Sequence, residues 1–416
     1  MASARDIASA LSGEGNGRSA ASASADSAAA ARRGRRRVWL DRLATLTVRA
    51  GGFGIIASIL AILIFIVVEV MPLIGGAAVT LSRVDPLPGP AVRAVVADEF
   101  GTHVAALDES GTVRVLRVAD GVIAVEQALG DGAHGLVSAQ VPPGTNLLTG
   151  ATTDGRVLLM PVQWDAHFEA QQRVVTPSLG AHVSIEMDPA GHPVPVYTAG
   201  LASSGAAAAG QLADGSLVIV RATREENQFT GEVNEAQERF STPVAGRLTQ
   251  LVFDRQQHNL FGADATGNLL WWPLTPTGIG AAQVVPAGTT VTALSLLLGG
   301  RSLVVGQANG ALSVWFVAPR DDGPARLTRV RDFPRRSAPI AAIAPSQRDK
   351  GFMAADAQGG LGLYYSTSNR TMWTGRAPFI ATALALGPRG NGAYAAGDGR
   401  LAAFAEIGRA SCRERV

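Results

Sequence analysis

A short turn sequence recurs seven times between residues 109 and 404. Each copy has a polar residue, a glycine, and then a strand in which apolar residues alternate with others, and the glycines are Gly111, Gly155, Gly215, Gly267, Gly310, Gly359 and Gly399. The residue two positions after each glycine is a valine or a leucine. The residue five positions after it is large and apolar: Leu116, Met160, Val220, Trp272, Trp315, Tyr364 and Phe404. One structural unit therefore repeats in register.

The repeat has the length and composition of a four-stranded antiparallel blade. Glycine supplies the positive φ of a tight turn between antiparallel strands. The strand before each turn ends in a small residue that suits a crowded interior: Ala106, Gly150, Gly210, Gly262, Gly306, Ala355 and Ala396. A propeller blade needs about 40–45 residues, and loops absorb longer spacings. The sequence predicts an all-β fold, a β-propeller of about seven blades over residues 91–405. These blades resemble WD40 blades in outline, without the Gly-His and Trp-Asp dipeptides of that family.

A single apolar segment precedes the repeats. Residues 50–68 carry no charge, and as a helix they would be about 28 Å long, close to the hydrocarbon thickness of a bilayer. We therefore predict one N-terminal transmembrane helix within residues 38–73. A cleaved signal peptide is the alternative, but its apolar region is normally shorter and residues 75–78 fit a cleavage site only loosely.

Arginines are unevenly distributed around this segment. Seven lie in residues 32–49 on its N-terminal side, namely Arg32, Arg33, Arg35, Arg36, Arg37, Arg42 and Arg49, whereas Arg83 is the nearest one on the other side. The positive-inside rule predicts a cytoplasmic N-terminus and a periplasmic propeller in a bacterial inner membrane.

Three further segments complete the predicted organisation. Residues 1–37 read as a disordered, basic, Ala/Ser-rich cytoplasmic leader, and residues 74–90 as a linker. Residues 406–416 match the translation of a common sequencing-adapter read-through and contain the lone cysteine, Cys412. We therefore expect this tail to be an artefact and the chain to be a truncated product. The seventh blade would then take its fourth strand from residues 77–84 or keep an unpaired edge. The short connection to the helix slightly favours the unpaired edge.

The sequence offers little catalytic chemistry. Its only lysine, Lys350, does not follow a glycine-rich loop, which excludes a P-loop ATPase. The six histidines lack the spacing of zinc ligands. Asp154, Asp214 and Asp398 each precede a turn glycine, which indicates turn residues rather than an acid–base pair. We predict no catalytic, cofactor-binding or metal-binding residues, no enzyme and no bound cofactor. The net charge of +2 gives no reason to expect nucleic acid binding.

The order of these features resembles the N-terminal region of a known family. The stretches that carry the resemblance are Asp41-Arg42-Leu43-Ala44-Thr45 before Gly51-Gly52-Phe53-Gly54, then Glu69-Val70-Met71-Pro72-Leu73, and Leu363-Tyr364-Tyr365-Ser366-Thr367-Ser368. They are similar to the permease subunit of phosphate ABC transporters in its long proteobacterial form, in which a large periplasmic insertion follows the first helix. The family's functional residues lie in later segments, so none is assigned here.

The resemblance implies a role and a set of partners. The chain would be the truncated N-terminal part of an importer for inorganic phosphate, with its translocation helices missing. Its partners would be a second permease subunit, a cytoplasmic ATPase subunit and a periplasmic phosphate-binding protein. The alternative hypothesis is an inner-membrane-anchored periplasmic propeller that acts as a scaffold or assembly protein.

Overall fold

The computed structural model describes residues 19–74, 78–132, 134–202, 205–226, 233–320, 323–390 and 392–407. The chain forms two compact units, residues 1–75 and residues 76–416. The first unit contains a helix and the second contains the sheets.

The helix α1 spans Ser19–Ile74. Its stretch Trp39–Val70 is long and apolar enough to cross a membrane, and the side chains there are exposed throughout. Residues 19–37, expected to be disordered, belong to this helix. Alanine and arginine are among the strongest helix formers, so the low apolar content of the leader does not prevent helix formation. Residues 1–18 lie outside the described part of the chain.

The second unit is a seven-bladed β-propeller in the residues that the structure describes. Each blade is built on a four-stranded antiparallel sheet. In blades 1 to 6 the innermost strand comes first in the chain, whereas in blade 7 the outermost strand, β1, precedes the other three. The closing strand β1 is Ala78–Pro86. Blades 1 to 3 contain β2 (Val92–Ala97), β3 (His103–Asp108), β4 (Thr112–Arg117) and β5 (Ile123–Ala128); β6 (Leu136–Gln140), β7 (Leu147–Thr152), β8 (Arg156–Glu169), β9 (Gln172–Leu179) and β10 (Val183–Glu186); and β11 (Tyr197–Ala202), β12 (Gly205–Gln211), β13 (Ser216–Glu226) and β14 (Val233–Pro243).

Blades 4 to 7 have the same plan. Their strands are β15 (Leu248–Phe253), β16 (Asn259–Asp264), β17 (Asn268–Thr275), β18 (Gly278–Ile279) and β19 (Gln283–Pro286); β20 (Val291–Leu296), β21 (Ser302–Gln307), β22 (Leu312–Arg320) and β23 (Gly323–Phe333); β24 (Ile340–Pro345), β25 (Gly351–Asp356), β26 (Gly360–Tyr365) and β27 (Arg370–Arg376); and β28 (Ala383–Leu386), β29 (Gly392–Gly397) and β30 (Arg400–Ile407). The additional strands β9 and β18 pair with the C-terminal ends of β8 and β17.

The seven turn glycines lie between the second and third strands of their blades, as the repeat predicts. Their φ angles run from +66° to +90°, a region that residues with a Cβ rarely adopt. The small residues of the second strands are explained by packing between blades. A Cβ on Gly306 would lie 2.6 Å from Cγ2 of Ile340 in the next blade.

The core is distributed around the ring. The described apolar side chains form seven clusters, and each cluster joins two neighbouring blades. One of them joins blade 7 to blade 1 through Val95, Leu116, Tyr394 and Leu401. The ring is therefore closed by the same apolar packing that joins its other blades.

The strand β1 completes blade 7. It pairs antiparallel with β30 from Ala78 opposite Ile407 to Pro86 opposite Arg400. Of the two states expected for this edge, the paired one is observed, and the slight preference for an unpaired edge was wrong. An open edge leaves a row of backbone N–H and C=O groups without partners, and a strand that starts soon after the helix can still satisfy them. Residues 78–86 are thus part of the propeller rather than of a linker.

Side chains hold β1 against blade 1 as well. Arg83 donates from Nε to Asp85 Oδ1 at 2.6 Å and from its terminal nitrogens to the carbonyl oxygens of Ala119 and Asp120 at 2.9 and 3.0 Å. Of the tail that was expected to be an artefact, Glu406 and Ile407 belong to β30, and residues 408–416 lie outside the described part of the chain.

Candidate functional site: the central channel and the two faces

The propeller has two faces that differ in the connections they carry. The turn face carries the turns of the seven repeated glycines. The proximal face is the opposite end, where β1 begins and where the loops between the first and second strands lie. The register shows this, because Ala78 pairs with Ile407 at the end of β30 that is remote from the Gly399 turn.

A channel runs through the centre of the ring. Its cavity has a volume of about 230 Å³ and is lined by the first strands of six blades. Much of the wall consists of small side chains, such as Ala94, Ala293, Ala342 and Ala383. The space is thus wide enough for several water molecules or a small group.

Polar side chains of the channel wall bind the neighbouring blade. Gln140 Nε2 donates to the carbonyl oxygen of Tyr197 at 2.8 Å, Gln250 Nε2 donates to that of Thr292 at 3.3 Å, and Thr382 Oγ1 donates to that of Val92 at 2.9 Å. These hydrogen bonds join blades 2 to 3, 4 to 5 and 7 to 1. The N–H and O–H groups used in this way stabilise the ring, and each glutamine Nε2 keeps a second N–H.

A proline-containing segment spans the channel at the proximal face. Pro142 and Pro143 line the cavity together with Gln347, which belongs to blade 6. The Gln347 Nε2 atom donates to Asn146 Oδ1 at 3.4 Å, although blades 2 and 6 are not neighbours in the ring. Because proline fixes φ, this segment is stiff. The channel is therefore more obstructed at the proximal face.

The turn-face mouth is bordered by an ion pair. Arg93, which lines the cavity, donates to Glu109 in the turn of the same blade. Both side chains are about half exposed, so the pair contributes little to stability. Separating the two charges so that they bind a partner would therefore cost little free energy.

Buried carboxylates organise the turns. Asp264 accepts hydrogen bonds from the backbone N–H groups of Thr266 and Asn268, each at 2.9 Å, and from both side chains. Burial alone would raise the pKa of Asp264, but the bonds from Asn268 and Thr266 outweigh it and lower that pKa. Asp356 binds Gln358 and Gly360 in the same way and pairs with Arg336 at 2.9 Å.

These carboxylates were not identified from the sequence, although the spacing of aspartate and glycine in the sequence marks them. An aspartate stands three residues before a glycine of positive φ at Asp98, Asp108, Asp188, Asp264 and Asp356. The aspartates that were interpreted as turn residues do lie in turns, and Asp214 accepts from the Ser216 N–H at 2.8 Å. The buried carboxylates and the turn aspartates are therefore both structural, and neither group places two carboxylates around a shared space.

Three histidines each lie close to one carboxylate. His134 lies 3.6 Å from Asp154, His167 lies 3.0 Å from Glu169, and His192 lies 2.9 Å from Asp188. Among the residues that the structure describes, no group of three or more His, Cys, Asp or Glu side chains could hold a metal ion. The adjacent tryptophans at 271 and 272 are also structural, since Trp272 is buried and Trp271 donates to Asn259 Oδ1 at 2.8 Å.

Comparisons with known proteins identify the fold. No protein-family model matches the chain, and no curated protein matches it. Among solved structures, the chain is similar to the β-propeller domain of Cps50 (Swd1) from Myceliophteria thermophila, with a TM-score of 0.55 and 16% identity. The similarity covers 79% of this chain and 99% of that domain. The molecule is thus a seven-bladed β-propeller of the WD40-like type with one apolar N-terminal helix.

Proposed function

We propose that this chain is a membrane-anchored β-propeller scaffold that binds partner proteins through its turn face. The observation that carries the proposal is the covalent joining of a helix long and apolar enough to span a bilayer to a closed propeller. A fold alone assigns no activity, so the function depends on sites that the fold carries. The buried carboxylates named above serve turns, and the three histidine–carboxylate contacts are single pairs.

The turn face is the surface best suited to a partner. Val137 and Ile380 are 38% and 49% exposed there, in blade 2 and just before the first strand of blade 7, and these two blades flank blade 1 with its Arg93. Apolar groups beside charged ones are the composition of a typical protein interface. The proximal face, in contrast, is where the chain enters the propeller from the helix.

Site-specific photo-cross-linking in the native membrane tests the scaffold. A cross-linking residue at Ala213 or Asn309, both exposed in turns of the turn face, should capture a discrete partner, and one at Gln256 on the proximal face should not. The double variant Val137→Asp/Ile380→Asp should abolish the capture. Equal capture from both faces, or capture that survives the double variant, would overturn the proposal.

The importer hypothesis makes a different prediction. It is supported by the order of basic cluster, apolar helix and propeller and by the similar stretches at residues 41–54, 69–73 and 363–368. It predicts that the source gene continues past residue 405 with about five more apolar segments of spanning length. The scaffold hypothesis predicts a stop codon soon after the seventh blade, and sequencing of the source DNA distinguishes the two.

A further inference from the structure

Basic residues cluster on the proximal face. The loops between the first and second strands of blades 4 to 7 include residues 254–258, 297–301, 346–350 and 387–390. They carry five cations and only two carboxylates, Asp254 and Asp349. The cations are defined here as the basic arc: Arg255, Arg301, Arg348, Lys350 and Arg389.

The arc is open to solvent. The side chains of its four arginines are exposed, and within the described residues the guanidinium groups of Arg255 and Arg301 make no hydrogen bond or ion pair. Asp254 is buried and accepts from the backbone N–H groups of His258 and Asn259 at 2.7 and 3.1 Å, so it serves its own loop. The four loops therefore carry a net positive charge, with five cations against two carboxylates.

Contacts within the arc hold neighbouring loops together. Arg348 Nη1 donates to the Arg389 carbonyl oxygen at 3.3 Å, and Lys350 Nζ donates to the Leu298 carbonyl oxygen. Arg389 is also 3.3 Å from Glu99 of blade 1 and stacks over the Phe100 ring, 4.5 Å from its centroid. The charges are thus presented by a connected surface rather than by independent loops.

The position of β1 indicates the kind of surface that the arc meets. Val79 of β1 lines an apolar pocket together with Asp349 and Gly390, so the first residues of β1 lie beside the arc. In the chain, the apolar helix ends at Ile74, four residues before β1 begins. Leu298, 36% exposed, adds an apolar side chain among the cations. A basic surface that follows a membrane-spanning segment after only a few residues of chain is suited to an anionic bilayer surface.

We propose that the basic arc binds the headgroups of anionic phospholipids and so holds the proximal face against the membrane. This inference rests on the proposed membrane anchor. Each cation near an anionic surface strengthens such binding about fivefold. The attraction acts over about one Debye length and weakens as salt is added. The turn face is then directed away from the lipid and is available to partners.

The test uses the full chain in lipid nanodiscs, either of neutral phosphatidylcholine or with about a third of phosphatidylglycerol. A donor fluorophore is placed at Gln256→Cys beside the arc, in a Cys412→Ser background, and an acceptor is carried on lipid headgroups. Energy transfer should be higher in the anionic discs than in the neutral ones, and added salt should remove the difference. The variant Arg255→Gln/Arg301→Gln should lower the docking equilibrium about 25-fold.

A charge-matched control separates the arc from net charge. Arg247 and Arg335 are exposed on the turn face, and Arg247→Gln/Arg335→Gln removes the same charge there. This variant should behave like the parent chain. An equal loss in both variants, or energy transfer that does not depend on anionic lipid, would overturn the proposal.

Alkaline extraction of the same discs distinguishes a failure of the anchor from a failure of the arc. A chain that is released by alkali lacks a spanning helix, and the anchor itself then fails. A chain that stays inserted but shows no lipid dependence retains its anchor and refutes the arc. An acidic peptide that docks on the inserted chain in neutral discs, without lipid dependence, would refute lipid binding and assign the arc to a protein partner.

Discussion

The turn glycines differ in their surroundings. Substitution of two of them by alanine separates the free-energy cost of the positive φ from the cost of a steric clash of the added Cβ. Gly310 has φ +80°, and an added Cβ would lie 2.3 Å from the Arg336 carbonyl oxygen; Gly215 has φ +88° with nothing within 4 Å. We expect Gly215→Ala to cost about 1 kcal/mol of unfolding free energy through φ alone. Gly310→Ala should cost about 3 kcal/mol because the backbone must also shift. Thermal unfolding midpoints measure both, and equal losses would show that φ alone matters.

The buried turn carboxylate Asp264 should make stability depend on acid. Its folded pKa is lowered by the bonds from Asn268 and Thr266 in spite of burial, so its contribution is complete above the pKa of an unfolded aspartate, about 4. The contribution is lost as the pH falls through the lower folded pKa. We expect Asp264→Asn to be less stable than the parent at neutral pH and the difference to shrink below pH of about 4. A difference that is constant from neutral pH to about pH 3, in urea unfolding curves, would contradict this.

At the scale of strands, the closure of blade 7 is the contact whose removal is most informative. A chain that starts at residue 78 keeps β1, and a chain that starts at residue 87 loses it together with the Arg83 bonds. Without β1 the strand β30 becomes an open edge, which favours edge-to-edge association. We expect the shorter chain to unfold at a lower temperature and to elute as larger species in size-exclusion chromatography. Matching profiles for the two chains would show that β1 does not close the ring in solution.

The elements show which parts of the fold the sequence could predict. The turn glycines and the small residues before them were predictable because φ and close packing act on single positions, as at Gly306. The hairpin of β8 and β9 was taken for loop length because the outer part of β8, residues 163–169, is mostly exposed and carries no apolar pattern. The pairing of β1 depended on comparing an open edge with a short connection, and no local pattern decides that comparison. For the site, the basic arc joins cations that are distant in sequence and that only the ring brings together.

At the scale of the whole molecule, orientation in the membrane is the property that the proposals share. The basic residues on the N-terminal side of the apolar stretch Trp39–Val70 predict a cytoplasmic N-terminus and a propeller on the far side. A reporter enzyme that is active only in the periplasm should be active when it is fused after residue 90 and inactive when it is fused before residue 40. A fluorescent reporter that folds only in the cytoplasm should give the opposite pattern.

Replacement of the five arginines at 32, 33, 35, 36 and 37 by glutamine should reduce this asymmetry of reporter activity, because the charge difference that sets the orientation would largely disappear. Replacement of the turn-face residues Arg247 and Arg335 by glutamine, as a control, should leave it unchanged. Reversed reporter activities in the parent chain would place the propeller in the cytoplasm, and the anionic surface that the basic arc meets would then be the cytoplasmic leaflet.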